Sequence, residues 1–347
     1  MKSPIRPEVL HLKVKIETPS RLHFALIDLN GSLGRVDGGV GAALESPGWT
    51  VEVEPSQEGL EVESCLEVER AEVESLALKF LKSYRLKPDF KIKVSRGVPR
   101  HVGLGSGTQL TLGIAYALAK ASGINTSPRE LANLMGRGGT SGIGVAAFES
   151  GGIIVDGGHS FGPGRQKQSF LPSHYSSAPP PPVLARYQPP KEWFWVVAIP
   201  AKGRGAHGLH EAEFFKGRCP IPEGEVGKTS RIVLLKLMPA LAEANIVEAG
   251  EALNMLQRVG FKKLEVELAG PNSKWLMEFM VEHGAYGAGL SSFGPAVYGL
   301  TEGRKRVENL ERALRNFFEE NSMAGMVLKA KTSLKGARVT VNSLGLQ

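Results

Sequence analysis

The sequence predicts a two-domain protein of mixed α and β structure. Its 347 residues are 42% hydrophobic and 22% charged, the balance of a globular chain, and this length favours two packed cores. Strand-like and helix-like patterns occur in both halves. Between the halves, residues 170–190 are rich in proline and serine. We therefore predict an N-terminal domain at 1–172, a linker or long surface loop at 173–190, and a C-terminal domain at 191–347.

The N-terminal elements follow from hydrophobic periodicity. Alternation of apolar and polar residues predicts half-buried strands at 11–17, 50–54 and 89–94. Apolar residues at helical spacing predict helices at 69–82 and 110–119. Ser127 and Glu130, with Pro128 between them, form a capping-box pattern, so a further helix is expected from there to about residue 135. Gly136 is expected to end it.

The C-terminal elements are of both kinds. Apolar runs and alternation predict strands at 193–199, 264–268, 326–330 and 338–341. Helical spacing predicts helices at 230–241, 246–256 and 304–319.

Composition excludes several classes of protein. No segment approaches the roughly 20 apolar residues of a membrane span, and the first seven residues lack the apolar stretch of a secretion signal. Cys65 and Cys219 are too few for a disulfide framework or a zinc site. The net charge of +7 is spread along the chain, so an anionic substrate and simple solubility explain it equally well. We predict a cytoplasmic protein without a nucleic-acid or membrane partner.

A glycine-rich loop stands between a predicted strand and a predicted helix. Backbone N–H groups and the helix dipole at such a turn hold a phosphate, and hydroxyl groups add further donors. A purely structural turn is the alternative. The predicted phosphate-binding residues here are Gly103, Gly105, Ser106, Gly107, Thr108 and Gln109.

Residues 99–108 resemble the signature loop of the GHMP kinases, a Pro-x-x-x-Gly-Leu-Gly-Ser-Ser-Ala pattern. The resemblance extends to the segment 18–24 and to a late glycine loop at 284–292. It implies an α+β GHMP-kinase-type fold, with a ribosomal S5 domain 2-like N-terminal domain and a ferredoxin-like C-terminal domain. In that fold these three elements converge on one cleft.

A more specific resemblance follows from a departure. The kinases carry an acid in a Ser-Gly-x-Asp segment, where this chain has Gly144. Glycine neither acts as a base nor orients an alcohol, which puts ordinary phosphoryl transfer in doubt. Residues 136–149 and 154–159 resemble the β-ribofuranosylaminobenzene 5′-phosphate synthase family, which shares the fold without being kinases. Residues 21–24 and 291–295 resemble it too.

That resemblance implies a reaction. The family joins phosphoribosyl pyrophosphate to 4-aminobenzoate and releases carbon dioxide and pyrophosphate, in methanopterin synthesis in archaea. Departing carbon dioxide replaces the proton that a base would remove, so the missing acid at Gly144 is consistent with it. The leaving pyrophosphate needs positive charge and N–H donors, and Mg²⁺ is the implied cofactor. A homodimer is implied as well.

Four residues are predicted to be catalytic. Arg21 and His23 lie in a matching segment and are assigned to phosphate or carboxylate contact; a surface ion pair and a core histidine are the alternatives. Asp28 holds Mg²⁺ or ribose hydroxyls, or equally organises a turn before Asn30-Gly31. His159 follows the apolar strand 153–155, where a side chain reaches a cleft.

Further binding residues lie in glycine-punctuated loops. Arg137, Thr140 and Ser141 suit phosphate oxygens, with helix termination as the alternative. Asp156 either lines the cleft or organises a turn. The cluster of Lys202, Arg204, His207, His210 and Glu211 closes over pyrophosphate or is a solvated charged loop, and of these Lys202, Arg204 and His207 are predicted to bind. Ser291 and Ser292 bind carboxylate or phosphate, or form a tight turn. No metal ligands are assigned.

Two rival functions remain at this point. One is ATP-dependent phosphorylation of a small alcohol, with another residue replacing the acid. The other is a catalytically silent ligand sensor on the same fold.

Overall fold

The computed structural model describes residues 12–65, 68–201 and 209–343. The strands are β1 (Leu12–Glu17), β2 (Ser20–Asp28), β3 (Arg35–Leu44), β4 (Thr50–Pro55), β5 (Glu61–Glu63), β6 (Phe90–Arg96), β7 (Ile153–Asp156), β8 (His159–Ser160), β9 (Val183–Tyr187), β10 (Trp193–Pro200), β11 (Gly287–Leu290), β12 (Val297–Glu302), β13 (Gly325–Ala330) and β14 (Arg338–Ser343). The helices are α1 (Arg70–Tyr84), α2 (Ser106–Ala121), α3 (Pro128–Met135), α4 (Ile143–Glu149), α5 (Leu209–Arg218), α6 (Glu223–Ile232), α7 (Met238–Ala242), α8 (Ile246–Leu256), α9 (Gly260–Ala269), α10 (Pro271–Glu282) and α11 (Arg304–Glu320). A 3-10 turn covers Ser173–Tyr175 and a π-helical turn covers Val233–Leu237. Among the described residues, no helix is long and apolar enough to cross a membrane.

The N-terminal part consists of two sheets with helices packed against them. One sheet has the strand order β14-β1-β4-β6-β5, and the other has the order β2-β3-β7-β9, with β8 paired to β3. Helix α2 packs on β1 and β4 and contacts α1, α3 and α4, while α4 packs on β3. Because α2 is enclosed in this way, most of its side chains are buried. The helix therefore holds the glycine loop at its N-terminus on a rigid base.

The C-terminal part is a four-stranded antiparallel sheet, β11-β12-β10-β13, with helices on both faces. Side chains of β10 alternate between two cores, as the period of two requires. Trp195 and its neighbours on one face join the N-terminal core, whereas Val196 and Ala198 pack beneath α10 and α11. The Phe24 ring lies 5.3 Å from Trp195 and 5.1 Å from Tyr298, so one core spans both parts.

Most predicted elements are present. The capping box at Ser127 and Glu130 is formed, and Gly136 ends α3 in the left-handed conformation with φ of 72°. The strand predicted at 264–268 is wrong, because these residues belong to α9. The pairs Phe261 and Lys262, then Glu265 and Val266, are buried one turn apart, which is a helical pattern that local alternation concealed.

The predicted linker is placed differently. Strand β9, within residues 173–190, pairs antiparallel with β7 at the edge of the N-terminal sheet. Ahead of it, the carbonyls of Pro180 and Pro181 accept hydrogen bonds from Arg129 at 2.8 and 2.5 Å. The prolines end before the strand begins, so they remove none of its pairing. The C-terminal boundary also differs, because β14 returns to pair with β1.

Candidate functional site

A cavity of about 480 Å³ opens between the glycine loop, β2, α5 and the turn that follows β11. Eleven of the residues predicted to form the site line it: Arg21, His23, Gly103, Gly105, Ser106, Gly107, Thr108, Arg137, Thr140, Ser141 and Ser292. Gly144, at the position of the kinase acid, lines it too. The three sequence segments that the resemblance brings together thus meet at one cavity.

Other predicted residues take structural positions around the cavity. Asp28 Oδ1 accepts hydrogen bonds from the N–H groups of Asn30 and Gly31 at 2.7 and 3.3 Å, so it organises the turn. Gln109 is buried and its amide donates to the Gly144 carbonyl at 2.7 Å, which joins α2 to α4. Ser291 is fully buried. Lys202, Arg204 and His207 lie outside the described residues.

Asp156 and His159 are buried behind the cavity wall. Asp156 accepts from the N–H groups of Gly142 and Gly158 at 2.8 and 3.0 Å and so fixes the start of α4. Burial raises its pKa to about 6. His159 contacts Asp37 at 2.6 Å and the Pro179 carbonyl at 2.9 Å, so both ring nitrogens are engaged.

Asp37 organises this buried cluster. Its carboxylate accepts from Lys167 Nζ at 2.9 and 3.1 Å as well as contacting His159. Lys167 also donates to Thr140 Oγ1 at 3.3 Å. The cluster therefore supports the loop that carries Thr140 into the cavity, and His159 acts on the site only through that support.

The glycine loop has a conformation that suits a phosphate. Gly103 and Gly105 have φ of 93° and 73°, where other residues are strained. Helix α2 starts at Ser106, and its N-cap residue, Gly105, has no side chain with which to cap the first N–H groups. These groups and the positive end of the helix dipole face the cavity, where an anion satisfies both.

Two arginines flank the loop. Arg137 lies beside Gly107 and donates to Thr111 Oγ1 at 3.0 and 3.2 Å. Arg100 pairs with Glu72 at 2.6 Å through one nitrogen, while its buried Nη1 has no hydrogen-bond partner among the described residues. A buried donor of this kind costs free energy until a ligand oxygen reaches it. We call this group, with the glycine loop, the phosphate subsite.

Arg21 and His23 stand next to this subsite on β2. The Arg21 side chain lies against Gly105 and donates to the Gly103 carbonyl. Burial lowers the pKa of Arg21 to about 10, which leaves it charged at neutral pH. Burial, with Arg21 and Lys262 nearby, lowers the pKa of His23 well below its usual value, so the imidazole is neutral. His23 is only 4% exposed, yet neither of its ring nitrogens has a hydrogen-bond partner among the described residues.

A second group of charges lies beyond Arg21. Glu265 forms a buried ion pair with Lys262, whose Nζ also donates to the carbonyls of Leu290 and Ser292 at 3.2 and 3.1 Å. Burial, with Glu265 nearby, raises the pKa of Glu211 to about 7, although Arg21 opposes the shift. Leu26, Phe215 and Phe293 line the same cavity. We call these two glutamates and three apolar side chains the acid-aromatic subsite.

Several of these residues are absent from the sequence-based prediction. Arg100 directly precedes the glycine loop, and its position beside a phosphate-binding turn is a signal that sequence inspection offers. Glu211 stands in the cationic segment noted above but was not assigned there. Glu265 falls in the segment 264–268 that was predicted as a strand, and Lys262 lies just before it, so the helical face that they share is not evident from the sequence. Phe215 and Phe293 carry no local signal.

The donor set decides how Mg²⁺ fits. Among the described residues, no group of three His, Cys, Asp or Glu side chains is arranged to hold a metal. Mg²⁺ in phosphate-transfer sites is commonly bound by one or two carboxylates plus substrate phosphates. Glu72 lines the cavity beside Arg100 and offers such a carboxylate. The residues therefore fit a metal that arrives with pyrophosphate, not one caged by protein ligands.

Comparisons with known proteins identify the family to which the chain belongs. The GHMP kinases N terminal domain matches residues 71–152, and the GHMP kinases C terminal domain matches residues 237–320. The beta-ribofuranosylphenol 5′-phosphate synthase of Methanothermobacter thermautotrophicus is 47% identical and covers 84% of this chain and 89% of its own length. The protein of the same name from Archaeoglobus fulgidus is 40% identical over 94% of this chain and 100% of its own.

Solved structures of kinases share the fold at low identity. Homoserine kinase from Cytophaga hutchinsonii is 16% identical with a TM-score of 0.66 and covers 98% of this chain and 99% of its own. Mevalonate kinase from L. major is 13% identical with a TM-score of 0.64, over 96% of this chain and 99% of its own. The predicted GHMP fold class is thereby confirmed.

The synthase relatives carry a phenol in their name where the sequence resemblance implied an aminobenzene. At the level of the family the resemblance is confirmed, and the chain belongs to the β-ribofuranosylphenol 5′-phosphate synthases, within the GHMP superfamily.

Proposed function

We propose that this chain transfers the phosphoribosyl group of phosphoribosyl pyrophosphate to a para-substituted benzoate, with release of pyrophosphate and carbon dioxide. One observation carries the proposal beyond family membership. The phosphate subsite retains its glycine loop, helix N-terminus and arginines, whereas the kinase acid is replaced by Gly144 in the wall of the same cavity. The site is thus equipped to hold phosphates and lacks the group that activates an alcohol.

The phosphate subsite has a defined task in this reaction. As the bond from the anomeric carbon to pyrophosphate breaks, negative charge grows on the leaving oxygen. The N–H groups at the start of α2, Arg137 and the free Nη1 of Arg100 are fixed before the reaction and stabilise that charge. Glu72 would hold Mg²⁺ together with the substrate phosphates, and the ion would supply positive charge near the leaving group.

The second subsite suits the acceptor. Phe215 and Phe293 offer flat apolar surfaces with ring centroids 6.3 Å apart, which fits an aromatic ring. Arg21, charged and half-buried between the two subsites, is suited to hold the acceptor carboxylate or the 5′-phosphate. His23, neutral and unpaired, is suited to a ribose hydroxyl.

The name of the relatives bears on the acceptor. Loss of carbon dioxide from 4-hydroxybenzoate leaves a phenol, whereas loss from 4-aminobenzoate leaves an aminobenzene. We therefore propose 4-hydroxybenzoate as the first acceptor to test and 4-aminobenzoate, which the sequence resemblance implied, as the second. A cytoplasmic location and a homodimer are further proposals, and light scattering at micromolar concentration tests the dimer.

The experiment follows carbon dioxide from carboxyl-labelled acceptor. Release that requires phosphoribosyl pyrophosphate supports the proposal, and the R137A and R100Q variants should then raise KM for phosphoribosyl pyrophosphate by about 10- to 100-fold, the loss of one charge-assisted hydrogen bond. The matched control is R312A, because Arg312 is exposed on α11 and bonds only Asn309 among the described residues. Absence of release, with ADP formed from ATP and an alcohol, would return the chain to the kinases.

A further inference from the structure

We propose that Glu211 is the proton acceptor for the para substituent of the aromatic substrate, and that it thereby makes the opposite ring carbon nucleophilic. This inference rests on the proposed function and deepens it, since it names the residue that activates the acceptor. In the kinases, the acid at the position of Gly144 activates the hydroxyl group of an alcohol. Glu211 lies in the acid-aromatic subsite, where it serves a different group of a different substrate.

Placement on α5 supports this role. Glu211 and Phe215 stand four residues apart, so they project from one face of the helix, and both line the cavity. Phe293 approaches from the turn after β11 and Leu26 from β2. An aromatic ring held among these apolar side chains has one edge beside the Glu211 carboxylate. A substituent on that edge lies next to a carboxylate oxygen of Glu211, which can accept its proton. The surrounding apolar side chains shield it from water.

The surrounding charges distinguish Glu211 from its neighbour Glu265. On α9, Glu265 is paired with Lys262, which is itself fixed to two carbonyls, so its carboxyl group is already engaged in a structural contact. Glu211 has no hydrogen bond or ion pair with another described residue. From β2, Arg21 and His23 face the same space. Burial, with Glu265 nearby, raises the pKa of Glu211 to about 7, near the value that serves a general base at neutral pH.

His23 is the competing base and is less suited. Both its nitrogens are without a partner among the described residues, so geometry alone would admit it. Its pKa, however, is lowered well below the usual value by burial and by Arg21 and Lys262. A group with so little affinity for a proton is a weak base at neutral pH. It remains suited to donating or accepting a hydrogen bond.

The chemistry balances without a further reactant. With 4-hydroxybenzoate, the carboxylate of Glu211 takes the hydroxyl proton, and the electron pair of that O–H bond moves through the ring. The ring carbon that bears the carboxylate bonds to the anomeric carbon, while the bond to pyrophosphate breaks and its electron pair leaves with pyrophosphate. The carbon–carboxylate bond then breaks, its electron pair restores the aromatic ring, and carbon dioxide departs. Glu211 returns the proton to the phenol oxygen.

The test compares E211Q with E213Q. Glu213 lies on the same helix, is 77% exposed and is paired only with His210 among the described residues, so its variant should keep the wild-type rate. E211Q keeps the side-chain shape and loses the base, so kcat with 4-hydroxybenzoate should fall by about 100-fold or more. KM for phosphoribosyl pyrophosphate should change by less than about threefold, because the phosphate subsite is intact.

The pH profile separates a base from a structural role. In the wild type, kcat should rise with pH through about 7 as Glu211 loses its proton, and E211Q should lack this rise while E211D keeps a displaced one. Thermal protection of E211Q by phosphoribosyl pyrophosphate shows that the variant is folded and binds. An E211Q enzyme with the wild-type rate and the wild-type profile would overturn the inference alone. A wild-type protein that releases carbon dioxide from neither acceptor would overturn the proposed function, and this inference with it.

Discussion

Ser291 is joined directly to Gly103: its Oγ donates a 2.7 Å hydrogen bond to the Gly103 carbonyl. The same oxygen accepts a hydrogen bond from the N–H of His23 at 3.0 Å. One buried hydroxyl therefore fixes the late glycine loop, the first glycine loop and β2 to one another. Backbone hydrogen bonds join the same segments, from the Ser292 N–H to the His23 carbonyl and from the Arg21 N–H to the Leu104 carbonyl, each at 3.1 Å.

Replacement of Ser291 by alanine should destabilise the protein and loosen the site together. The S291A variant leaves the buried His23 N–H without its acceptor, which costs about 1–3 kcal/mol in the free energy of unfolding. KM for phosphoribosyl pyrophosphate should rise, because the Gly103 carbonyl keeps its hydrogen bond from Arg21 but loses the one from Ser291. Urea denaturation and steady-state kinetics measure the two effects. S83A is the control, since Ser83 is exposed on α1 and bonds its own helix. Equal stability of the two variants would contradict the role of Ser291.

Gly103 should tolerate no side chain, for a steric reason that can be separated from backbone strain. A Cβ there would lie 2.2 Å from the Ser291 carbonyl oxygen, and φ is 93°. Gly34 also has a positive φ, of 71°, but a Cβ there meets nothing within 4 Å. G34A should therefore cost about 1–2 kcal/mol from strain alone, whereas G103A should cost well beyond this. Chemical denaturation of both variants measures the difference, and similar losses would show that the close approach is unimportant.

Local signals in the sequence identified the elements that depend on few neighbours. The capping box at Ser127, the left-handed glycine at Gly136 and the glycine loop before α2 were all legible, because each is defined within four or five residues. The segment 264–268 was misread because a short apolar alternation fits a strand and one face of a helix alike. Its burial pattern is decided by packing of α9 against β2 and against α6, α8 and α10.

Only part of the candidate site could be predicted from the sequence, because several of its residues depend on partners that are distant in the chain. The sequence predicts His159 in the cleft. In the structure its ring contacts Asp37, which is 122 residues away in the chain, and this contact holds His159 in the buried cluster behind the cavity wall. The role of Arg100 depends on its pairing with Glu72 on α1, which the sequence around the glycine loop does not show. Burial, and then Glu265 on α9, raise the pKa of Glu211, while Arg21 on β2 opposes the shift. A perturbed carboxyl group is a property of the assembled site, which no local pattern carries.

Removal of one partner from the buried pair of Lys167 and Asp37 should strongly destabilise the cluster of Asp37, His159 and Lys167. Both side chains are almost fully buried, at 2% and 0% exposure. K167M removes one partner and leaves an uncompensated buried charge, so the loss should be about 3–5 kcal/mol. K228M removes an exposed pair with Glu225 and should cost less than about 1 kcal/mol. Urea titrations at neutral pH check both. A small loss in K167M would mean that Asp37 finds another partner.

Asp156 should make stability fall as pH rises through the weakly acidic range. Its carboxyl group has a pKa of about 6 in the folded chain against an ordinary 3.8, so between these values the native state holds a proton that the unfolded state has lost. The contribution is complete below about pH 4 and is lost as pH rises through 6, to a total of about 3 kcal/mol. D156N carries no titrating group. Relative to the wild type, it should therefore gain stability between pH 4 and 7, measured by urea denaturation, and a difference that stays constant across this range would refute the assignment.

Gly144 should accept a methyl group but not the carboxylate of the kinases. A Cβ there would lie 3.2 Å from Thr108 Cγ2, a contact that a small side-chain movement relieves, so G144A should fold and retain most activity. G144D places a negative charge in the cavity wall opposite the phosphate subsite. Two unit charges about 5 Å apart repel by about 3 kcal/mol at an effective dielectric constant of 20, so KM for phosphoribosyl pyrophosphate should rise by about 10- to 100-fold.

Kinetics of G144A and G144D against phosphoribosyl pyrophosphate provide the measurement, with the melting temperature as the check on folding. G144D should also form no ADP from ATP and an alcohol, because the acid alone does not supply an alcohol subsite. In the proposed function this wall faces the bound pyrophosphate, so the added charge should oppose binding instead of activating a nucleophile. An unchanged KM in G144D would place the pyrophosphate elsewhere in the cavity and would remove the physical reason for a glycine at this position.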